Sequence, residues 1–96
     1  METIQRMSHE IAKEKGFWDK PRNDGELIAL MHSELSEALE ELRKPEPDMK
    51  NVAEEMADVV IRVCDFCEAR NISLQTAIWD KIDKNKKRPH MHGKKF

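Results

Sequence analysis

The chain has 96 residues, 38% of them charged, a net charge of -2, three glycines, no tyrosine and six methionines. That length suits one domain over residues 1–96 with a modest core that a second subunit can complete, and the near absence of strand signals points to an all-α class. No apolar run approaches the roughly 20 residues needed to cross a bilayer, and Met1 to Gln5 lacks the basic-then-apolar order of a signal peptide. A cytoplasmic protein with no membrane partner is therefore expected.

Four helices are predicted. The first, about Thr3 to Lys15, carries Ile4, Met7, Ile11 and Ala12 in one stripe and ends at Gly16. A loop follows from Gly16 to Asn23, because Pro21 disfavours helix at Lys20. Asn23 or Asp24 caps the second helix, whose apolar stripe is Leu27, Ile28, Met31, Leu35, Ala38, Leu39 and Leu42, and which stops near Lys44. Pro45-Glu46-Pro47-Asp48 forms a turn. Val52, Met56, Val59, Val60, Val63, Phe66 and Cys67 then trace the core face of the third helix, with Ala57, Ile61 and Cys64 as a second apolar strip on its other side. A helix apolar around so much of its circumference is buried on both sides, either by a second subunit, the reading we prefer for so short a chain, or by lying centrally in its own bundle. Ser73 caps the fourth helix, which runs to about Lys86 before an irregular tail with Pro89 and Gly93.

Two acidic motifs stand inside this framework: Glu34-x-x-Glu37 on the second helix and Glu55-x-x-Asp58 on the third. Residues three apart share a helix face, so each motif projects two carboxylates the same way. Side by side, the helices would bring four carboxylates into one small volume, where like charges repel unless a cation sits among them. Magnesium takes oxygen ligands and grips substrate phosphates, which makes it the expected cofactor and a polyphosphate the expected substrate. Glu34 lies about 80° from the centre of the second helix's apolar stripe, Glu41 about 100° and Glu37 about 140°. Glu55 also borders an apolar face, and Arg62 falls between Glu55 and Asp58 in projection. Such edge positions suit metal ligands, although glutamate is also a good helix former and most charged helical faces are merely solvated.

Charge is unevenly spread. Lys81 to Phe96 holds seven Lys or Arg and one Asp, formally +6, leaving -8 for the first eighty residues. An acidic body repels a long polyanion, so nucleic acid is not an expected partner; a basic tail beside a cation-binding body fits a smaller anion. Trp18 on its loop could stack on a base, as could Trp79, although tryptophan in a small helical protein more often serves the core. Arg22 is a candidate for phosphate, and Asn23 is equally a substrate contact or a helix cap. Cys64-x-x-Cys67 with His90 and His92 invites a zinc reading. A CxxC inside a helix lacks the turn that presents both thiolates, so packed, reduced thiols are expected instead. His32 belongs on a partly exposed helix face.

The spacing of the two acidic motifs resembles the signature of the MazG-like all-α nucleoside triphosphate pyrophosphohydrolases. Pro21-Arg22-Asn23 before the first motif, and Lys81-x-x-x-Asn85-x-x-Arg88-Pro89 after the second, are similar to elements of the dCTP pyrophosphatase branch. The sequence departs from it at Ser33, where many relatives carry a further acid, which leaves the number of ions open. Asp19-Lys20 replaces an aromatic or histidine often found before the Pro-Arg-Asn element, which leaves the base preference open.

The resemblance implies a four-helix MazG-like bundle completed by oligomerisation, as a homodimer or homotetramer, cleaving nucleoside triphosphates to monophosphate and pyrophosphate in nucleotide-pool sanitation or control. It implies that Glu34, Glu37, Glu55 and Asp58 hold Mg²⁺ and carry catalysis, with one of them or Glu54 orienting the attacking water. Trp18, Arg22, Asn23, Lys81, Asn85 and Arg88 would bind substrate. The alternative is a non-catalytic helical nucleotide-binding or interaction module.

Overall fold

The computed structural model describes residues 1–89 and contains four helices: α1 (Glu2–Glu14), α2 (Asp24–Leu42), α3 (Met49–Ala69) and α4 (Leu74–Lys86). Each boundary has a local cause. Gly16 adopts φ +87°, and a Cβ there would meet Asp19 Oδ2 at 3.0 Å, so the chain leaves α1 through a conformation that favours glycine. Asn23, Asp48 and Ser73 cap α2, α3 and α4, accepting from the backbone N–H groups of Glu26, Lys50 and Thr76. Asn71 takes the left-handed φ of +57° that ends α3.

The bundle is built around α3, which packs against α2 on one side and α1 on the other. Leu27, Ala38, Val52, Cys64 and Cys67 form its buried apolar centre. Ala38 is 1% exposed at the α2 face, so Ala38→Leu has no room to fill and is expected to cost about 1–3 kcal/mol, measured as a lower denaturation midpoint. The α1 contact is polar. Buried Gln5 donates to Glu68 Oε1 and to the Ile72 carbonyl and accepts from the Leu74 N–H, tying α1 to the α3–α4 turn. The fourth helix has no buried residue and touches little besides α1. The radius of gyration is accordingly 16.0 Å, against about 12 to 13 Å for a compact chain of this length.

Four expectations about packing differ from the structure. Cys64 is fully buried within the single chain, on the α1 side of a central α3, so it does not belong to a subunit-facing strip; only Ala57 and Ile61 of that strip are exposed. Met56 and Val60, assigned to the core face of α3, are exposed in the single chain. Trp79 is 64% exposed, not core: among the described residues α4 touches little besides α1 and buries no residue. The Ile4, Met7 and Ile11 stripe of α1 likewise points outward, since Gln5 and Ser8 take the face toward α3. No helix among the described residues is long and apolar enough to cross a membrane.

Candidate metal centre

Packing of α2 on α3 brings Glu34, Glu37 and Glu55 together, with one carboxylate oxygen from each lying within 4.8 Å of the others. Glu55 Oε2 is buried and has no hydrogen-bond partner. A buried carboxylate oxygen without a donor is costly and points to a missing one. The Glu37 carboxyl beside it, then burial, then the charges of Glu37, Asp58 and Glu34 push the Glu55 pKa above its ordinary value of 4.5. A hard divalent cation among three oxygen donors would remove both the repulsion and the orphan, so the residues present fit such an ion.

Among the described residues Glu34 has one positive partner: Arg62 Nε donates to its Oε1 at 2.8 Å. Asp58 is exposed and stands outside the trio, yet it shares a cavity of about 400 Å³ with Glu34, Arg62, Phe17, Ile61 and Asp65. A second cavity of about 340 Å³ opens on the other side of the acids and is lined by Glu37, Glu55, Ser33, Ser36 and Lys44. Glu41, the other edge acid of α2, has a structural duty. It accepts from the Asp48 N–H, Lys44 and Asn51, fastening the α2–α3 turn, and the Asp48 and Lys44 bonds lower its pKa.

The remaining candidates are dispersed. Trp18 Nε1 donates to buried Asp65 Oδ1 at 2.9 Å, where His9 Nδ1 also sits at 2.7 Å, and the Trp18 ring meets His9 and Phe17 edge-on. The aromatic lining the 400 Å³ cavity is therefore its neighbour Phe17. Arg22 lies 4.0 Å over the Phe17 ring, donates to the Phe17 carbonyl and pairs with Glu26. Asn23 Oδ1 is occupied as the α2 cap. Lys81 and Asn85 are exposed on α4, and no α4 residue lines either cavity beside the acids. Arg88 follows α4 and is exposed; His90 and His92 lie outside the described residues. Cys64 and Cys67 are free, buried thiols whose pKa values burial raises. Phe17, which lines the cavity, and the bonded pair His9 and Asp65 have no role that spacing alone assigns, and Arg62 is legible only in projection.

An all-α bundle thus carries three clustered glutamates that could hold a cation, with a cavity on either side. Residues 22–92 match the model of the MazG nucleotide pyrophosphohydrolase domain, more than half of the chain, and the protein belongs to that family. Comparison with curated proteins gives no match, and comparison with solved structures gives none.

Without metal, the acids make stability depend on pH in two opposite ways. The raised Glu55 pKa favours the folded state below 4.5, and that contribution is lost as pH rises through the raised value. The lowered Glu41 pKa stabilises above 4.5 and fails as pH falls through its folded value. In a chelator, Glu55→Gln is expected to abolish the fall in melting temperature on the alkaline side of 4.5, and excess Mg²⁺ is expected to do the same for the wild type. Thermal melts by circular dichroism across pH check both.

Proposed function

We propose that the protein is a magnesium-dependent nucleoside triphosphate pyrophosphohydrolase, releasing a nucleoside monophosphate and pyrophosphate in nucleotide-pool sanitation or control. The observation that carries this reading is the partnerless buried Glu55 Oε2 beside Glu37 and Glu34, in a member of a nucleotide pyrophosphohydrolase family. An oxygen-only donor set favours magnesium over thiophilic metals. Glu34, Glu37 and Glu55, joined by Asp58 from the cavity edge, would hold the ion, which supplies charge neutralisation at the phosphates and a more acidic water. A carboxylate of this group, or exposed Glu54, would take the proton of the attacking water. Pyrophosphate release that requires Mg²⁺ tests the reading; orthophosphate as the only phosphate product would refute it.

Substrate contacts from α4 would come from a second copy of the chain. Lys81 and Asn85 share a face of a helix that lines neither acidic cavity, and the outward Ile4, Met7, Ile11 and Ile61 enclose an apolar hollow of about 240 Å³ with Ser8. A homodimer or homotetramer would cover that hollow and carry α4 to a neighbouring acidic centre. Lys81→Ala and Asn85→Ala are expected to lower kcat/KM by roughly tenfold to a thousandfold while leaving bare-metal affinity intact. Mixing inactive Glu37→Gln protein with Lys81→Ala protein should regain up to about a quarter of wild-type activity in a dimer, because one intact site forms in each mixed pair. No recovery after subunit exchange would show that each α4 serves its own chain.

A further inference from the structure

We infer that Arg62 is a phosphate-binding residue, presenting the free edge of its guanidinium to the substrate while its other edge holds Glu34; this rests on the triphosphate reading above. The geometry singles it out among the cations near the centre. Its Nε–H is committed to Glu34 Oε1 at 2.8 Å, and among the described residues neither Nη1 nor Nη2 has an acceptor. Arginine carries five donors in a rigid fork, so four N–H groups are left unused. Among the described residues Arg62 is the only cation lining the 400 Å³ cavity, in which the other charged residues, Glu34, Asp58 and Asp65, are acidic.

The two competing cations are already engaged. Lys44 lines the opposite cavity, but its Nζ is bound to Glu41 at 3.0 Å and its side chain is 60% exposed. Arg22 is engaged by Glu26, the Phe17 carbonyl and the Phe17 ring. Arg62 is held in place on two sides, by Glu34 and by the Phe17 ring 6.0 Å from its guanidinium carbon. Little side-chain entropy would be lost when a phosphate docks, and a planar fork suits two phosphate oxygens at once. The bond engages Oε1 of Glu34, one of the three carboxylates whose oxygens cluster within 4.8 Å. One side chain would thereby link an ion-holding carboxylate to the bound anion.

The test separates anion binding from an effect relayed through Glu34. Bare Mn²⁺ binding is followed by electron paramagnetic resonance without nucleotide, and binding of the non-hydrolysable α,β-imido analogues of dCTP and dATP by calorimetry at saturating Mg²⁺. Arg62→Met is expected to weaken analogue binding by about tenfold or more, the loss of charge-assisted hydrogen bonds. Its Mn²⁺ affinity should stay within about threefold of wild type, since removing a nearby positive charge offsets the loss of a carboxylate tether. Arg62→Lys, which keeps the charge and loses the fork, should fall between the two and keeps the test decisive if the Met variant is unfolded by circular dichroism. Equal losses of Mn²⁺ and analogue affinity would overturn the assignment, because Arg62 would then act through Glu34 alone. Unchanged analogue binding would overturn it too. If the wild type binds neither analogue, the triphosphate reading falls together with this one; wild-type binding matched by Arg62→Met removes this inference only.

Discussion

Glu37→Gln and Glu55→Gln are each expected to reduce pyrophosphate release by on the order of a hundredfold or more while the folded helical content is retained. The two carboxyls oppose each other across the α2–α3 contact, and Glu55 is held above its ordinary pKa mainly by Glu37. Replacing either acid by its neutral amide removes a ligand charge. It also supplies an N–H donor beside the partnerless Glu55 Oε2 in Glu37→Gln, so metal-free stability should hold or rise. The paired result, lost turnover with unchanged or higher melting temperature in a chelator, distinguishes a metal ligand from a fold-holding acid. Glu41→Gln provides the contrast. Its carboxylate accepts from the Asp48 N–H, Lys44 and Asn51, so that variant should lose stability through a loosened α2–α3 turn.

Ile61→Asp is expected to give a folded monomer with little or no activity. Ile61 is 45% exposed in the single chain, so a carboxylate there can reach water when the protein stands alone. In a subunit contact with Ile4, Met7 and Ile11 the same charge would be desolvated without a partner, which is costly. Light scattering should therefore report half the wild-type mass, or a quarter from a tetramer, with helical circular dichroism preserved. A wild-type protein already monomeric at assay concentration would rule out the subunit contact.

Helix positions were legible because their signals are local. Asn23, Asp48 and Ser73 cap their helices within a few residues of where turn chemistry places the boundaries, and Gly16 supplies the positive φ that ends α1. The clustering of Glu34, Glu37 and Glu55 was readable for a similar reason, since three-residue spacing fixes the faces once α2 and α3 are neighbours. Which apolar stripe faces which partner was not readable. The contact of α1 with α3 runs through Gln5 and Ser8, and periodicity ranks such polar positions last. Cys64 was assigned outward because a central α3 and a subunit-facing α3 share one hydrophobic pattern. The Phe17, Trp18, His9 and Asp65 group joins a loop to two helices across more than forty residues, and no spacing rule connects them. Arg62 was visible as a basic residue on the acidic face of α3, but its bond to Glu34 and its free Nη edge emerge only with the packing of α2 on α3.

In the proposed reaction, water attacks the α-phosphate of a nucleoside triphosphate at the acidic centre. Hydrolysis of deoxynucleoside triphosphates in ¹⁸O-labelled water, followed by ³¹P NMR with and without Mg²⁺, tests it most directly. Equal amounts of monophosphate and pyrophosphate, the label entirely in the monophosphate, and no turnover once the metal is chelated are expected. Label in pyrophosphate, release of orthophosphate with a diphosphate, or undiminished turnover in the chelator would contradict it.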